Sequence, residues 1–234
     1  MFKKKLKETK NNPAKLITLT KPSSVISEQF KTIRTNIQFS IFDKEMKSIA
    51  VTSDMVGAGK STVAANLAVT FSMQGKKVVL VDSDLRKPTI HRFFGLSNRD
   101  GLTTILTNRS IRLCNMIHHT DVDNLFVLTS GIIPPNPSEL LASSRMDELL
   151  VELEKDFDLI IFDLPPVVAV TDAQIMASKV DGTIFVIRKE NSTKDKIMES
   201  KLLLQRVNAN VIGVVLNRIK VTEDFNYDYY RTAD

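Results

Sequence analysis

Short apolar runs recur at Ser48–Ser53, Val78–Asp82, Leu125–Thr129, Leu159–Asp163, Thr183–Arg188 and Val211–Leu216, and most are apolar at every position rather than at alternate ones. A strand of that kind must be buried on both faces, which a parallel sheet achieves when helices cover each side. The segments between the runs are long enough to be those helices. Lys60 to Gln74 carries Val63, Ala64, Leu67, Ala68 and Phe71 on one side and stops at Gly75, a residue that favours a helix end. The pattern predicts a doubly wound α/β domain with a mainly parallel sheet. Nothing in it repeats, and no linker divides it. A length of 234 residues suits one generous domain. Residues 1–23 read as a basic arm, 24–220 as the domain with a first helix over 24–40, and 221–234 as a tail.

Several classes of function are excluded early. No apolar run approaches the length of about 18 residues that a membrane span needs, and the basic start MFKKKLKETK has no apolar stretch behind it, so a cytoplasmic protein is expected. The single cysteine, Cys114, excludes intrachain disulfides and any Cys-only metal or iron–sulfur site within one chain. His91, His118 and His119 have no ligand spacing, and Cys114 with His118 lacks two further ligands, so no structural metal is expected. The net charge of +5 is accounted for by Lys3, Lys4, Lys5, Lys7, Lys10 and Lys15 against Glu8. A neutral body argues against nucleic acid as a partner. The basic arm suits an anionic lipid surface or a plain solubilising terminus, and both readings stay open.

The chemistry begins after the first run, at Val51-Thr-Ser-Asp-Met-Val-Gly57-Ala58-Gly59-Lys60-Ser61-Thr62. Backbone N–H groups of a glycine-containing turn, joined to a helix N-terminus, cradle phosphates. Lys60 reaches the β- and γ-phosphates in such a loop, and the Ser61 hydroxyl binds Mg²⁺. The full pattern wants glycine where this chain has Asp54, so the loop is a variant. A right-handed crossover brings the end of Val78–Asp82 to the same edge of the sheet, which turns Asp82 and Asp84 toward the crevice. Leu159–Asp163 is a further buried strand ending in aspartate, the arrangement that holds Mg²⁺ through water. Aspartates after strands often do no more than cap helices, but three beside a phosphate loop exceed that explanation.

Other candidates come from local spacing. Tyr227, Tyr229 and Tyr230 are the only tyrosines, and their clustering beside Glu223, Asp224 and Asp228 marks them as substrates rather than core residues. The opposite reading is an aromatic tail packed on the sheet edge. Asn136-Pro-Ser-Glu139 reads as a capping box with proline at the first helical position. Asn217 and Arg218 leave the last run where an adenine could lie, and a plain strand exit fits equally. In the first helix, Ile26, Phe30, Ile33 and Ile37 follow helical spacing, so they are expected to dock on the domain.

These segments, together with Arg34-Thr-Asn-Ile-Gln-Phe-Ser40, Val81-Asp-Ser-Asp-Leu-Arg-Lys-Pro88 and Pro134-Pro-Asn-Pro-Ser-Glu-Leu-Leu141, resemble the bacterial tyrosine kinases of capsule and exopolysaccharide synthesis, the CpsD/CapB-like proteins, over nearly the whole chain. The resemblance implies a P-loop NTPase of the modified-Walker, MinD-like type that uses ATP and Mg²⁺. It gives ATP contacts to Gly57, Ala58, Gly59, Lys60, Ser61, Thr62, Asn217 and Arg218, and metal-holding roles to Ser61, Asp84 and Asp163. Lys60, Asp82 and Asp84 become the catalytic set, with Asp82 orienting the acceptor hydroxyl and taking its proton. Tyr227, Tyr229 and Tyr230 become phosphorylation sites, modified across the subunits of a ring-type homo-oligomer. Glu28, Lys31 and Arg34 would form the subunit contact. A transmembrane chain-length-regulator adaptor, whose cytoplasmic tail activates the kinase at the inner face of the membrane, and a tyrosine phosphatase are the implied partners. The chain departs from the family at Val56, where proline is usual, and at Lys31, where arginine is usual and lysine loses the bidentate fork. A charged stripe of this kind is otherwise a solvated face with i,i+3 pairs. Lys60 is expected to face solvent before nucleotide binds. Partitioning ATPases share the fold but carry a second lysine where this chain has Met55, and an ATP-gated scaffold without phosphate transfer remains the non-enzymatic alternative.

Overall fold

The computed structural model describes residues 16–40 and 46–219. Its strands are β1 (Ser48–Ser53), β2 (Val78–Asp82), β3 (His118–His119), β4 (Leu125–Leu128), β5 (Leu159–Asp163), β6 (Gly182–Arg188) and β7 (Val211–Asn217). The helices are α1 (Ile17–Thr20), α2 (Val25–Phe39), α3 (Lys60–Ser72), α4 (Ile90–Phe94), α5 (Leu102–Thr107), α6 (Pro137–Ala142), α7 (Ser144–Asp156), α8 (Asp172–Ala177) and α9 (Lys194–Arg206). One sheet has the order β3-β4-β2-β5-β1-β6-β7, parallel throughout except where β3 meets β4. The doubly wound architecture is therefore present.

Successive residues of a strand point to opposite faces, and here they divide into two cores. Val79, Val81, Ile160 and Phe162 pack with α5 to α8, while Val78, Leu80, Leu159 and Ile161 pack with α2 and α3. Every residue of β1, β2 and β5 is buried, as continuous apolar runs demand. β7 departs from that expectation. It is bonded to β6 alone at the sheet edge, and Val214 and Leu216 are 55% and 54% exposed. An apolar run does not distinguish a central strand from an edge.

Helix α3 is buried on nearly all sides rather than along one stripe, because α2 covers its outer face. Ser24 caps α2 by accepting from the Ser27 N–H at 3.2 Å, and Phe30, Ile33 and Ile37 face the core as expected. Ile26 does not dock; it is exposed. The charged stripe is also split. Lys31 pairs with Glu28 on the same helix at 2.6 Å, whereas Arg34 Nη1 donates to the Thr70 carbonyl of α3 at 3.0 Å. Arg34 thus binds its own domain and does not simply face outward.

The folded part begins before residue 24. Leu16 is buried, and both the N–H and the hydroxyl of Thr18 donate to Asn66 Oδ1, at 3.1 and 2.8 Å. Asn66 in turn donates to the Thr62 carbonyl at 2.8 Å. Residues 16–23 are therefore part of the domain, anchored by a buried amide on α3, and not part of an arm. The arm over 1–15 and the tyrosine cluster lie outside the described residues.

Replacing Asn66 with alanine leaves buried polar groups of Thr18 without partners, at a cost of about 2 kcal/mol or more. Urea denaturation of Asn66→Ala should show that loss. A change under about 0.5 kcal/mol would mean that Thr18 docks without depending on the amide.

Candidate active site

β1 delivers the chain into the phosphate loop, and α3 carries it away. Gly57 and Gly59 have φ of +80° and +96°, in the region that favours glycine. A Cβ on Gly59 would also lie 2.1 Å from Asn217 Nδ2. That amide donates to the Ala58 carbonyl at 2.8 Å, so Asn217 grips the loop itself. The adjoining cavity, of about 470 Å³, is lined by Gly57, Gly59, Lys60, Ser61, Thr62 and Asp84 among others. Ala58 is buried behind the loop, and Arg218 is exposed with φ +56° and does not line the cavity. Asp54, standing where glycine is usual, is buried with neither oxygen hydrogen-bonded. Nothing in the structure explains it.

Below the loop the charges converge. Lys60 Nζ lies 2.9 Å from Asp84 Oδ2, 3.4 Å from Asp163 Oδ1 and 3.3 Å from Ser61 Oγ. The lysine is only 9% exposed, which corrects the expectation that it faces solvent. The carboxylates of Asp82 and Asp163, at the ends of neighbouring strands, and of Asp84, two residues past β2, draw the ammonium inward. Burial works against that ammonium, but Asp163 and Asp84 outweigh it and hold its pKa above the ordinary value. Burial raises the Asp163 carboxyl, with Lys60 and the Ser61 hydroxyl pulling it back.

Asp82 sits deeper than its expected role implies. It is fully buried and does not line the cavity. Its Oδ2 accepts from the Thr89 and Ile90 N–H groups, both at 2.9 Å, so it does cap the start of α4. Burial, and then the charge of Asp163, push the Asp82 carboxyl up to about 8 against the pull of the Ile90 N–H. Capping and convergence are both true of this residue. Asp82 Oδ1 and Asp163 Oδ2 are buried without hydrogen-bond partners.

These orphaned oxygens, three carboxylates against one ammonium, and the Ser61 hydroxyl fit a hard divalent cation such as Mg²⁺. Among the described residues no three His, Cys, Asp or Glu side chains are arranged to hold a metal ion by themselves.

Sequence reasoning missed a second cluster that braces this one. Arg86 donates through Nε and Nη2 to the two carboxylate oxygens of Asp172, both at 3.0 Å, and through Nη2 to Ser138 Oγ at 3.1 Å. Ser138 donates to Asp172 Oδ1 at 2.6 Å. Asp172 is fully buried, and its hydrogen bonds raise the Arg86 pKa. The segment that reads as a capping box thus does other work. The Asn136 side chain caps nothing; its amide donates to Glu139 Oε2 at 2.6 Å. The available signal was Ser138 itself, two residues past that asparagine, and Arg86, four residues past the end of β2.

Comparison with known proteins agrees with this geometry. The AAA domain family matches residues 46–209. The chain is 46% identical to tyrosine-protein kinase YwqD of Bacillus subtilis, over 94% of this chain and 92% of that one. It is 42% identical to the putative tyrosine-protein kinase CapB of Staphylococcus aureus, over 92% and 93%. The crystal structure of the chimerical protein CapA2B2 superposes with a TM-score of 0.84 at 43% identity, covering 88% of this chain and 90% of that one.

The raised Asp82 carboxyl makes stability depend on pH. Its contribution is fully present below the unfolded value near 4 and is lost as pH rises through about 8. Asp82→Asn should flatten that decline. Between pH 5 and 8.5 the fall in melting temperature should shrink by the equivalent of about 1 kcal/mol or more, roughly 2–4 °C at this length. Parallel melting curves for the two proteins would show that the Asp82 carboxyl is not held protonated.

Proposed function

As a member of the bacterial tyrosine-protein kinases of capsule and exopolysaccharide loci, to which it belongs, the chain is an ATP-dependent protein-tyrosine kinase, and we propose that it phosphorylates its own cluster Tyr227, Tyr229 and Tyr230 between copies. The observation that carries this reading is the meeting of Lys60, Ser61, Asp84 and Asp163 at the phosphate loop, in a chain whose three tyrosines all fall within residues 227–230 of its sequence.

In this mechanism the N–H groups from Gly57 to Thr62 receive the phosphates. Lys60 turns from Asp84 toward the β- and γ-phosphate oxygens, so nucleotide binding and the buried ion pair compete for one ammonium. Mg²⁺ would be held by Ser61 and, through water, by Asp84 and Asp163, and when bound it neutralises charge between the phosphates. The tyrosine oxygen attacks the γ-phosphorus as the bond to ADP breaks. Asp82 takes the phenolic proton when it is in its ionised form, the minor form near neutral pH for a carboxyl held toward protonation. A carboxyl raised to about 8 is closer to tyrosine near 10 than an ordinary aspartate is, which favours late transfer in a loose transition state. Contact with the acceptor requires the cavity floor beside Asp84 to open, since Asp82 lies beneath it.

Phosphorylation then regulates polysaccharide synthesis and export. Each phosphate adds about −1.5 to −2 charge to an acidic segment, which is repelled from a crevice of three aspartates. No helix among the described residues is long and apolar enough to cross a membrane, in keeping with recruitment to the inner face of the cell membrane by a transmembrane chain-length-regulator adaptor. A ring of copies, joined partly through Glu28, Lys31 and Arg34, and an opposing tyrosine phosphatase complete the cycle.

Replacing Tyr227, Tyr229 and Tyr230 with phenylalanine should remove all self-labelling from γ-labelled ATP while nucleotide binding persists. Mixing this variant with a Lys60→Met chain tests transfer between copies. Because Lys60→Met leaves the buried carboxylates unpaired, its fold is checked by circular dichroism, and Ser61→Ala serves as a second inactive acceptor. Label on either acceptor is the expected result. A wild-type chain that labels itself strongly while both mixtures stay blank would overturn transfer between copies, and label found off tyrosine would favour a different chemistry.

A further inference from the structure

The two edges of the sheet are unlike. β3 forms one of them with only His118 and His119, whereas β7 leaves Val211–Asn217 without an outer neighbour among the described residues. Sheets guard such an edge by keeping it short or by placing charge or proline on it. β7 has no charged residue and no proline. Its register with β6 is irregular only between Thr183 and Ile184 and runs unbroken from Gly213 to Asn217. Val211, Val214 and Leu216 are the partners of Thr183, Phe185 and Ile187, so they lie on the face where Phe185 and Ile187 share a core with Leu204 of α9. α9 leaves these three side chains 43%, 55% and 54% exposed.

The backbone of β7 is open as well. The Lys189 N–H donates to the Asn217 carbonyl at 3.2 Å, which makes Asn217, Val215 and Gly213 the residues bonded to β6. Alternate residues of a parallel strand turn their N–H and C=O groups the other way, so those of Val214 and Leu216 point to the open edge. An aliphatic stripe beside free backbone groups is the surface that an added strand fills. The sequence that follows has the pattern of such a strand. Ile219, Val221, Phe225, Tyr227 and Tyr229 alternate with Lys220, Thr222, Asp224, Asn226 and Asp228, and Glu223 is the one interruption. Arg218, with φ +56°, ends β7 and turns the chain at the edge itself. An antiparallel return from there needs a loop and no crossover.

We propose that segment 224–229 adds to the edge of its own β7 as an antiparallel strand, and that this docked form withholds the tyrosines from other copies of the chain. The withholding rests on the reading of the cluster as acceptor; the docking does not. Residues opposite each other in an antiparallel pair share a face, so the apolar set must oppose Val214 and Leu216. The shortest return that keeps Glu223 off the aliphatic stripe puts Phe225 opposite Leu216 and Tyr227 opposite Val214, with residues 218–223 as the connection. β7 is separated from β2 by β6, β1 and β5, about 19 Å at ordinary strand spacing. A docked tyrosine is therefore held away from its own aspartate strand. Each phosphate adds about −1.5 to −2 charge, which an aliphatic stripe does not accommodate. Phosphorylation thus frees the segment that docking had stored.

The test uses the full chain. Hydrogen exchange at the Leu216 amide should be slower by about tenfold or more than in Phe225→Asp, which sets a charge on the stripe from the segment's side, and than in Val214→Asp, which does so from the strand's side. Full phosphorylation of the cluster should remove the same protection. In a Cys114→Ser background, Leu216→Cys with Phe225→Cys places two thiols on opposed Cα atoms about 5.5 Å apart. Oxidised glutathione should close that bridge within one chain about tenfold faster than it closes Leu216→Cys with Asn226→Cys, whose second side chain lies on the other face. Val214→Asp leaves the acceptor sequence intact and should raise the initial rate of self-labelling by about twofold or more. Equal exchange in wild type and both variants, with both bridges closing equally fast, overturns the docking even if the tyrosines prove to be phosphorylated. A bridge that joins two chains overturns the chain's own segment as the occupant. Protection in a chain that never labels its tyrosines upholds the docked strand and sinks the acceptor reading. Protection with a labelling rate that Val214→Asp leaves unchanged overturns the withholding.

Discussion

Asp82 and Asp163 are register partners at the ends of adjacent parallel strands β2 and β5, so the sheet itself sets two carboxylates side by side in the protein interior. Asp84 adds a third, and Lys60 is the ammonium that meets them. Burying like charges together is costly unless a proton or a counter-charge intervenes. Both devices are present: Lys60 is drawn down into the cluster and Asp82 is held toward its protonated form. The fold therefore keeps a standing demand for positive charge at the point where β- and γ-phosphates would arrive. A nucleotide with a divalent cation satisfies that demand, whereas phosphates alone would compete with the aspartates for the same lysine. Removing one partner of such a cluster leaves uncompensated charge, which is why these residues affect stability as well as chemistry.

The loop that receives the phosphates is tied at both flanks by side chains from distant parts of the sequence. Asn217 reaches from the end of β7 to the Ala58 carbonyl, and its amide occupies the space a Cβ on Gly59 would need. On the other flank, Arg86 joins the segment after β2 to Asp172 and Ser138, so α6 and α8 brace the aspartate strand. A planar guanidinium bound to both carboxylate oxygens fixes orientation as well as position. Phosphoryl transfer relies chiefly on positioning and charge, and these braces are what hold the charged groups in place.

Much of this was legible from local pattern. Continuous apolar runs revealed the inner strands, and Ser24 and Ser40 bounded α2 to within a residue. The phosphate loop and its three aspartates were readable because their meaning is set by short spacing and by which strand ends share an edge. The unreadable parts depend on contacts between residues far apart. The docking of Thr18 on Asn66 spans 48 residues, and Asp172 lies 86 positions from the arginine it holds. No periodicity announces either. Lys60 was misjudged for a related reason: a loop lysine looks solvated until the carboxylates around it are counted in space. β7 was misjudged because its apolar run is the same on an edge as in the centre of a sheet.

The placement of Arg34 changes how the first helix can matter. Its guanidinium binds the Thr70 carbonyl near the C-terminal end of α3, and the N-terminal residue of that same helix is Lys60. An α-helix of this length is a stiff rod of about 20 Å, packed here on both sides. Phe30, Ile33 and Ile37 fasten α2 along it, and Asn66 fastens α1. Any surface that engages α2 and redirects Arg34 therefore pulls on the rod whose other end carries Lys60. The effect of such an engagement would be transmitted as a change in the position of α3 against the aspartates, because α3 carries both the carbonyl that Arg34 binds and Lys60. The stripe on α2 and the loop at Lys60 are thus joined by one helix, so the self-association proposed for the stripe would act on the loop through α3.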